Sequence, residues 1–118
     1  MLIVSDMAKR LTKALRGKRR WFGIKVDSQY TTRRQLSDHL NSLASNLKLS
    51  KQIRLMDFEL SAKDEFSLAI IEVKLPDYNL LRENIDNDES IDTFGVQSIT
   101  ASGKIRLVRD RLNLAKKQ

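Results

Sequence analysis

Cysteine is absent from the 118 residues, which removes disulfides, thiolate nucleophiles and every cysteine-containing metal site. Histidine is nearly absent as well. His39 stands alone, with no second histidine to share a metal and no cysteine to activate, so it reads as a satisfied residue at the margin of a helix rather than a ligand or base. The single proline, Pro76, leaves little room for a linker, and the four glycines are scattered, so no glycine-rich ligand loop exists. Long apolar runs are missing too. The opening run, Leu2 to Val4, falls far short of a signal-peptide core or of the roughly 20 residues of a membrane span. The chain therefore reads as soluble and cytoplasmic, with no membrane partner.

What is present is charge over a core. Hydrophobic residues make up 41% and charged residues 31%, a balance that supports a packed domain, and 118 residues fit one domain spanning 1–118. The net charge of +7 is unevenly placed. Residues 1–25 carry eight basic side chains against Asp6 alone, and residues 104–118 carry six against Asp110. Between them the balance reverses to eight basic and thirteen acidic residues. Two basic blocks flanking an acidic middle suggest terminal segments that grip a polyanion, whereas uniform positive charge would suggest only solubility or nonspecific adhesion.

Hydrophobic periodicity places the elements. Residues 6–16 can form a short basic helix ended by Gly17, within an N-terminal extension over 1–17. From Trp21 to Asp27, Phe22, Ile24 and Val26 alternate with Trp21, Gly23 and Lys25, the period of a half-buried strand. Thr32 with Gln35 makes a capping box, and Leu36, Leu40, Leu43 and Leu47 then recur at helical spacing up to about Leu49. Ile53 to Leu60 and Phe66 to Leu75 read as a hairpin across the polar turn Ser61 to Glu65. Leu68 to Val73 is apolar on both faces and so belongs in the middle of a sheet.

Pro76 and Asp77 open a second helix with Tyr78, Leu81 and Ile85 inward, which dissolves in the acidic loop Asp86 to Asp92. Phe94 to Ala101 returns as a strand. After Ser102 and Gly103, the residues Ile105, Val108, Leu112 and Ala115 mark a basic terminal helix over 104–118. The order β-α-β-β-α-β, with its core over 18–101, predicts an α+β fold of the ferredoxin-like split βαβ type, with a four-stranded antiparallel sheet. The apolar outer face of the central strand needs cover, from the terminal helix or from another protein.

No catalytic constellation emerges from these residues. The acidic cluster Asp86, Asp88, Glu89 and Asp92 lacks the glycine and closing glutamate of a calcium loop, and Gly103-Lys104 lacks the rest of a phosphate loop. The positive features are two. Lys18, Arg19 and Arg20 adjoin the aromatic Trp21, a pairing used for phosphate neutralisation and base stacking, although burial is the commoner fate of a lone tryptophan. Lys104 and Arg106 sit where a strand passes into a helix, a place that favours phosphate. Lys25 and Arg109 complete the candidate RNA-binding set. Strand order 4-1-3-2 would set the first and last strands side by side and bring both segments to one end of the sheet. The third strand, Phe66 to Val73, lacks the stacking aromatics of the common RNA-binding version of this fold. A general RNA- or DNA-binding or ribosome-associated protein fits these features; a small-molecule-binding regulatory domain fits less well for want of a glycine-rich loop.

Two segments carry a family resemblance. Leu15-Arg16-Gly17-Lys18-Arg19-Arg20-Trp21-Phe22-Gly23-Ile24-Lys25-Val26 resembles the basic lead-in and first strand of ribonuclease P protein component two, the archaeal relative of a eukaryotic Pop-type subunit. Ser98-Ile99-Thr100-Ala101-Ser102-Gly103-Lys104-Ile105-Arg106 is similar to that family's closing strand-turn-helix, which usually runs Val-Ser-Gly-Thr-Ile-Arg. Ala101 replaces the usual valine and Lys104 the usual threonine. The resemblance covers about residues 15–113. It implies a non-catalytic protein subunit of a ribozyme that removes the 5′ leader from precursor tRNA, with the metal ions held by the RNA and no cofactor in the polypeptide. It also implies as partners the ribonuclease P RNA, precursor tRNA, a TIM-barrel-like protein subunit and a second copy of the chain.

Overall fold

In a computed structural model that describes residues 18–60 and 66–112, these residues form four strands and four helices. Their order is β1 (Arg19–Asp27), α1 (Arg33–Asn46), β2 (Arg54–Glu59), β3 (Phe66–Lys74), α2 (Leu75–Ile85), α3 (Ser90–Phe94), β4 (Val96–Ser102) and α4 (Ile105–Leu112). The strands make one antiparallel sheet in the order β2-β3-β1-β4, the ferredoxin-like layout that the element order predicts. The expected helix over residues 6–16, the turn over 61–65 and Ala115 lie outside the described residues.

Alternation along β1 divides the molecule into layers. Phe22, Ile24 and Val26 are fully buried on the face covered by α1 and α2, where they meet Leu36, Leu40 and Leu43 of α1 and Leu81 and Ile85 of α2. The flanking positions of β3, Ala69, Ile71 and Val73, complete this core. α1 begins as the sequence predicts: the Thr32 side chain accepts from the Gln35 amide at 3.1 Å, and Gln35 Oε1 reaches back to accept from the Thr31 amide at 2.9 Å. Its helix ends earlier than predicted, at Asn46, and Lys48 then adopts a left-handed backbone with φ 60°.

On the opposite face, Ile70 is also fully buried, because α4 lies over it with Val108 and Leu112, flanked by Trp21, Met56 and Ile105. A Cβ at Gly23 would lie 2.9 Å from Leu112 Cδ1, so the glycine lets the last turn of α4 sit close to β1. The terminal helix thus covers the outer face of the central strand.

Three local readings are corrected. Phe94 does not open a strand: with Ser90 to Thr93 it forms α3, capped by Gly95 at φ 77°, and β4 starts at Val96. The acidic stretch is accordingly not all loop, although Asp86, Asp88, Glu89 and Asp92 are exposed. Ser90 is buried within it and donates to the carbonyls of Ile85 and Asn87. Asp77 is more than a favourable charge at the start of α2. Its buried carboxylate accepts from the Ser50 amide and hydroxyl, both at 2.9 Å, and from the Lys51 amide at 3.2 Å, tying the approach to β2 onto α2.

Candidate nucleic-acid interface

The antiparallel pairing of β1 with β4 sets Trp21 opposite Ser102, so the residues that enter β1 and those that leave β4 meet at one end of the sheet. Lys18, Arg19, Arg20, Trp21 and Gly103 line an open cleft of about 440 Å³ there. Arg20 is fixed in its wall. Its guanidinium donates to the Arg19 carbonyl at 3.0 Å, lies 6.0 Å from the centre of the Tyr78 ring, and packs against Gly103, where a Cβ would come within 3.1 Å of it. Lys104 and Arg106 follow Gly103 directly in the chain and are exposed, and among the described residues no carboxylate is ion-paired to Lys18, Arg20, Lys104 or Arg106. The Lys104 amide is already engaged, donating to Ser102 Oγ at 3.1 Å, so the charge here comes from side chains more than from open backbone.

The remaining predicted residues take other places. Arg19 reaches the buried carboxylate of Glu72 at 3.7 Å, which offsets part of its charge. Trp21 is no open stacking platform, because it packs beside the Ile70, Val108 and Leu112 cluster beneath α4. Its indole Nε1 is buried with no hydrogen-bond partner among the described residues, an arrangement that typically costs about 1–3 kcal/mol. Lys25 stands four residues further along β1, roughly 13 Å from Trp21. There it is paired with Leu68 and Gln97, its ammonium 5.4 Å from the centre of the Phe66 ring. Arg109 is turned inward and joins Asp57 of β2 through Nε at 2.7 Å and a second nitrogen at 3.3 Å. That hydrogen bond raises the Arg109 pKa above its ordinary value, against an opposing effect of burial, so the guanidinium stays charged throughout the working pH range. Lys25 and Arg109 are therefore set apart from the corner that the other predicted cations form.

His39 has a structural position: a ring nitrogen hydrogen-bonds the Phe94 carbonyl, and the ring stacks on Tyr30 with centroids 4.6 Å apart. No cluster of three His, Asp or Glu side chains able to hold a metal occurs among the described residues. Nor is any helix among them long and apolar enough to cross a membrane. A second basic cleft, between α1 and the start of β2, gathers Arg33, Arg34 and Arg54. Sequence reasoning did not find it, and the Arg33-Arg34 doublet directly after the helix cap was the one available signal.

Comparison with protein-family models, curated proteins and solved structures finds no match to this chain.

Proposed function

We propose that this protein is a non-catalytic RNA-binding subunit of a ribonucleoprotein. Within that class, the particular reading is the ribonuclease P protein that its terminal motifs resemble, supporting an RNA catalyst in removing the 5′ leader from precursor tRNA. The observation that carries the proposal is a cleft lined by Lys18, Arg19 and Arg20 on one side and, on the other, by Gly103, more than eighty positions away in sequence, with the exposed Lys104 and Arg106 following Gly103 directly. Phosphate neutralisation by such a set supplies affinity without sequence preference, which suits a protein that supports a folded RNA instead of reading bases. The described parts of the motifs that resemble the family, from Lys18 into β1 and from β4 into α4, adjoin this corner. In this reading the polypeptide contributes charge and shape, metal ions belong to the RNA, and the partners are the catalytic RNA, precursor tRNA, a TIM-barrel-like subunit and a second copy.

The test is reconstitution. Added to the catalytic RNA and its partner subunits, the protein should raise precursor-tRNA cleavage selectively, and the Lys18, Arg20, Lys104 and Arg106 quadruple glutamine variant should lose most of that gain. Tight RNA binding with no gain in cleavage would favour the general RNA-binding reading.

A further inference from the structure

We infer that the cleft between α1 and the start of β2 is a second phosphate-binding site, separate from the corner at Lys18 and Gly103. It has a volume of about 520 Å³ and is lined by Arg33, Arg34 and Arg54 together with the neutral hydrogen-bonding residues Ser37, Asn41 and Gln52. No carboxylate lines it. That segregation is notable in a stretch, residues 26–103, where acidic residues outnumber basic ones thirteen to eight.

The three arginines divide the work. Arg33 is spent on the protein: its guanidinium donates to the carbonyls of Leu55 at 3.2 Å and Met56 at 3.4 Å, at the bulge of edge strand β2, and this fixes one wall of the cleft. Arg34 and Arg54 are exposed, and their guanidinium groups make no hydrogen bond or ion pair among the described residues. Their planar guanidinium forks suit the paired oxygens of a phosphate group.

The placement also carries a local cost. Arg33 and Arg34 occupy the first turn of α1, which contains no acidic residue, so two cations face the positive end of the helix dipole. An anion held between Arg34 and Arg54 offsets that repulsion. Arg54 pairs with Glu72, which in turn pairs with Trp21, so it stands at the same end of the sheet as the first cleft, two strand spacings or roughly 10 Å across. One RNA can therefore reach both. The phosphate chemistry stands by itself; only the assignment of its source to an RNA backbone, as opposed to free phosphate, rests on the function proposed above.

Two measurements on the full chain test the inference, comparing wild type with the Arg34→Gln/Arg54→Gln variant after thermal melts confirm equal folding. The first is the log-log salt dependence of affinity for a tRNA transcript. Loss of two phosphate contacts should lower the slope by about 1.4 to 1.8, additively with the loss caused by neutralising the first cleft. The second is titration with inorganic pyrophosphate, read as shifts of the Arg34, Ser37 and Arg54 backbone amides by NMR; these should move in the wild type and stay fixed in the variant. A changed slope assigns the site to RNA phosphates, and amide shifts with an unchanged slope assign it to free phosphate. An unchanged slope with no amide shifts overturns the inference, whatever the first cleft does. Failure of the proposed function looks different: no variant of either cleft changes RNA affinity, while pyrophosphate still moves the amides around Arg34.

Discussion

On one face of the sheet, two helices of 14 and 11 residues bury a continuous layer of Phe22, Ile24, Ile71, Leu40 and Leu81. On the other, the eight residues of α4 cover Ile70 and are pinned at their sides by arginines: Arg109 to Asp57, and Arg111 to Thr100 Oγ1 at 2.8 Å and the Ala101 carbonyl at 3.2 Å. The first face gains its stability from apolar area and is closed to solvent. The second is a smaller apolar contact, Ile70 with Val108 and Leu112, held in register by polar ties. The comparison teaches how a strongly basic C-terminal segment serves two ends. Arg109 and Arg111 hold the helix on the sheet, while Lys104 and Arg106 at its start stay exposed, directly after the Gly103 that packs against Arg20.

The sharpest way to break this contrast is at the buried face. Leu40→Ala removes a fully buried side chain from the packed layer and should destabilise the fold by about 2–5 kcal/mol, measured by chemical denaturation. On the other face, Asp57→Asn should cost only about 1 kcal/mol, because the pair is about a third exposed. Its signature is local: amide exchange should quicken in α4 while α1 and α2 stay protected, and equal loss of protection in all three helices would contradict the division. The smallest effect belongs to Trp21→Phe. Removing an indole N–H that has no partner among the described residues relieves its desolvation, while the smaller ring loses packing against the Ile70 cluster. The two effects offset, so stability should change by less than about 1 kcal/mol with RNA affinity intact. A large loss of affinity in this variant at unchanged stability would show that the indole contacts RNA.

Much of the contrast is legible in the sequence. The strict alternation of β1, the capping box of α1 and the apolar residues on both sides of β3 each depend on local spacing, and together they give the layout and the need for cover on the outer face. Their limits have physical reasons. α3 is five residues long, too short for a helical period to show, so the apolar Phe94 looked like the start of the following strand. Asp77 sits where a helix-dipole role is expected, and its stronger partners, Ser50 and Lys51, come from a loop more than twenty-five residues away. Arg109 counts as one more basic residue until the fold sets Asp57 against it, and Arg33, Arg34 and Arg54 become neighbours only when α1 docks beside β2. In the candidate interface, the pairing of the two termini followed from strand order, but the sorting of cations into outward and inward ones required the tertiary contacts.

The central claim is that the two basic segments act as one phosphate-binding surface. The direct measurement is the salt dependence of RNA affinity for wild type against a variant with Lys18, Arg20, Lys104 and Arg106 all changed to glutamine. Each lost phosphate contact should lower the log-log slope by about 0.7 to 0.9 and affinity should fall regardless of RNA sequence. The melting temperature should fall only by the contacts Arg20 makes with Tyr78 and Gly103, since Lys18, Lys104 and Arg106 are exposed. An unchanged slope in a folded variant would contradict the account.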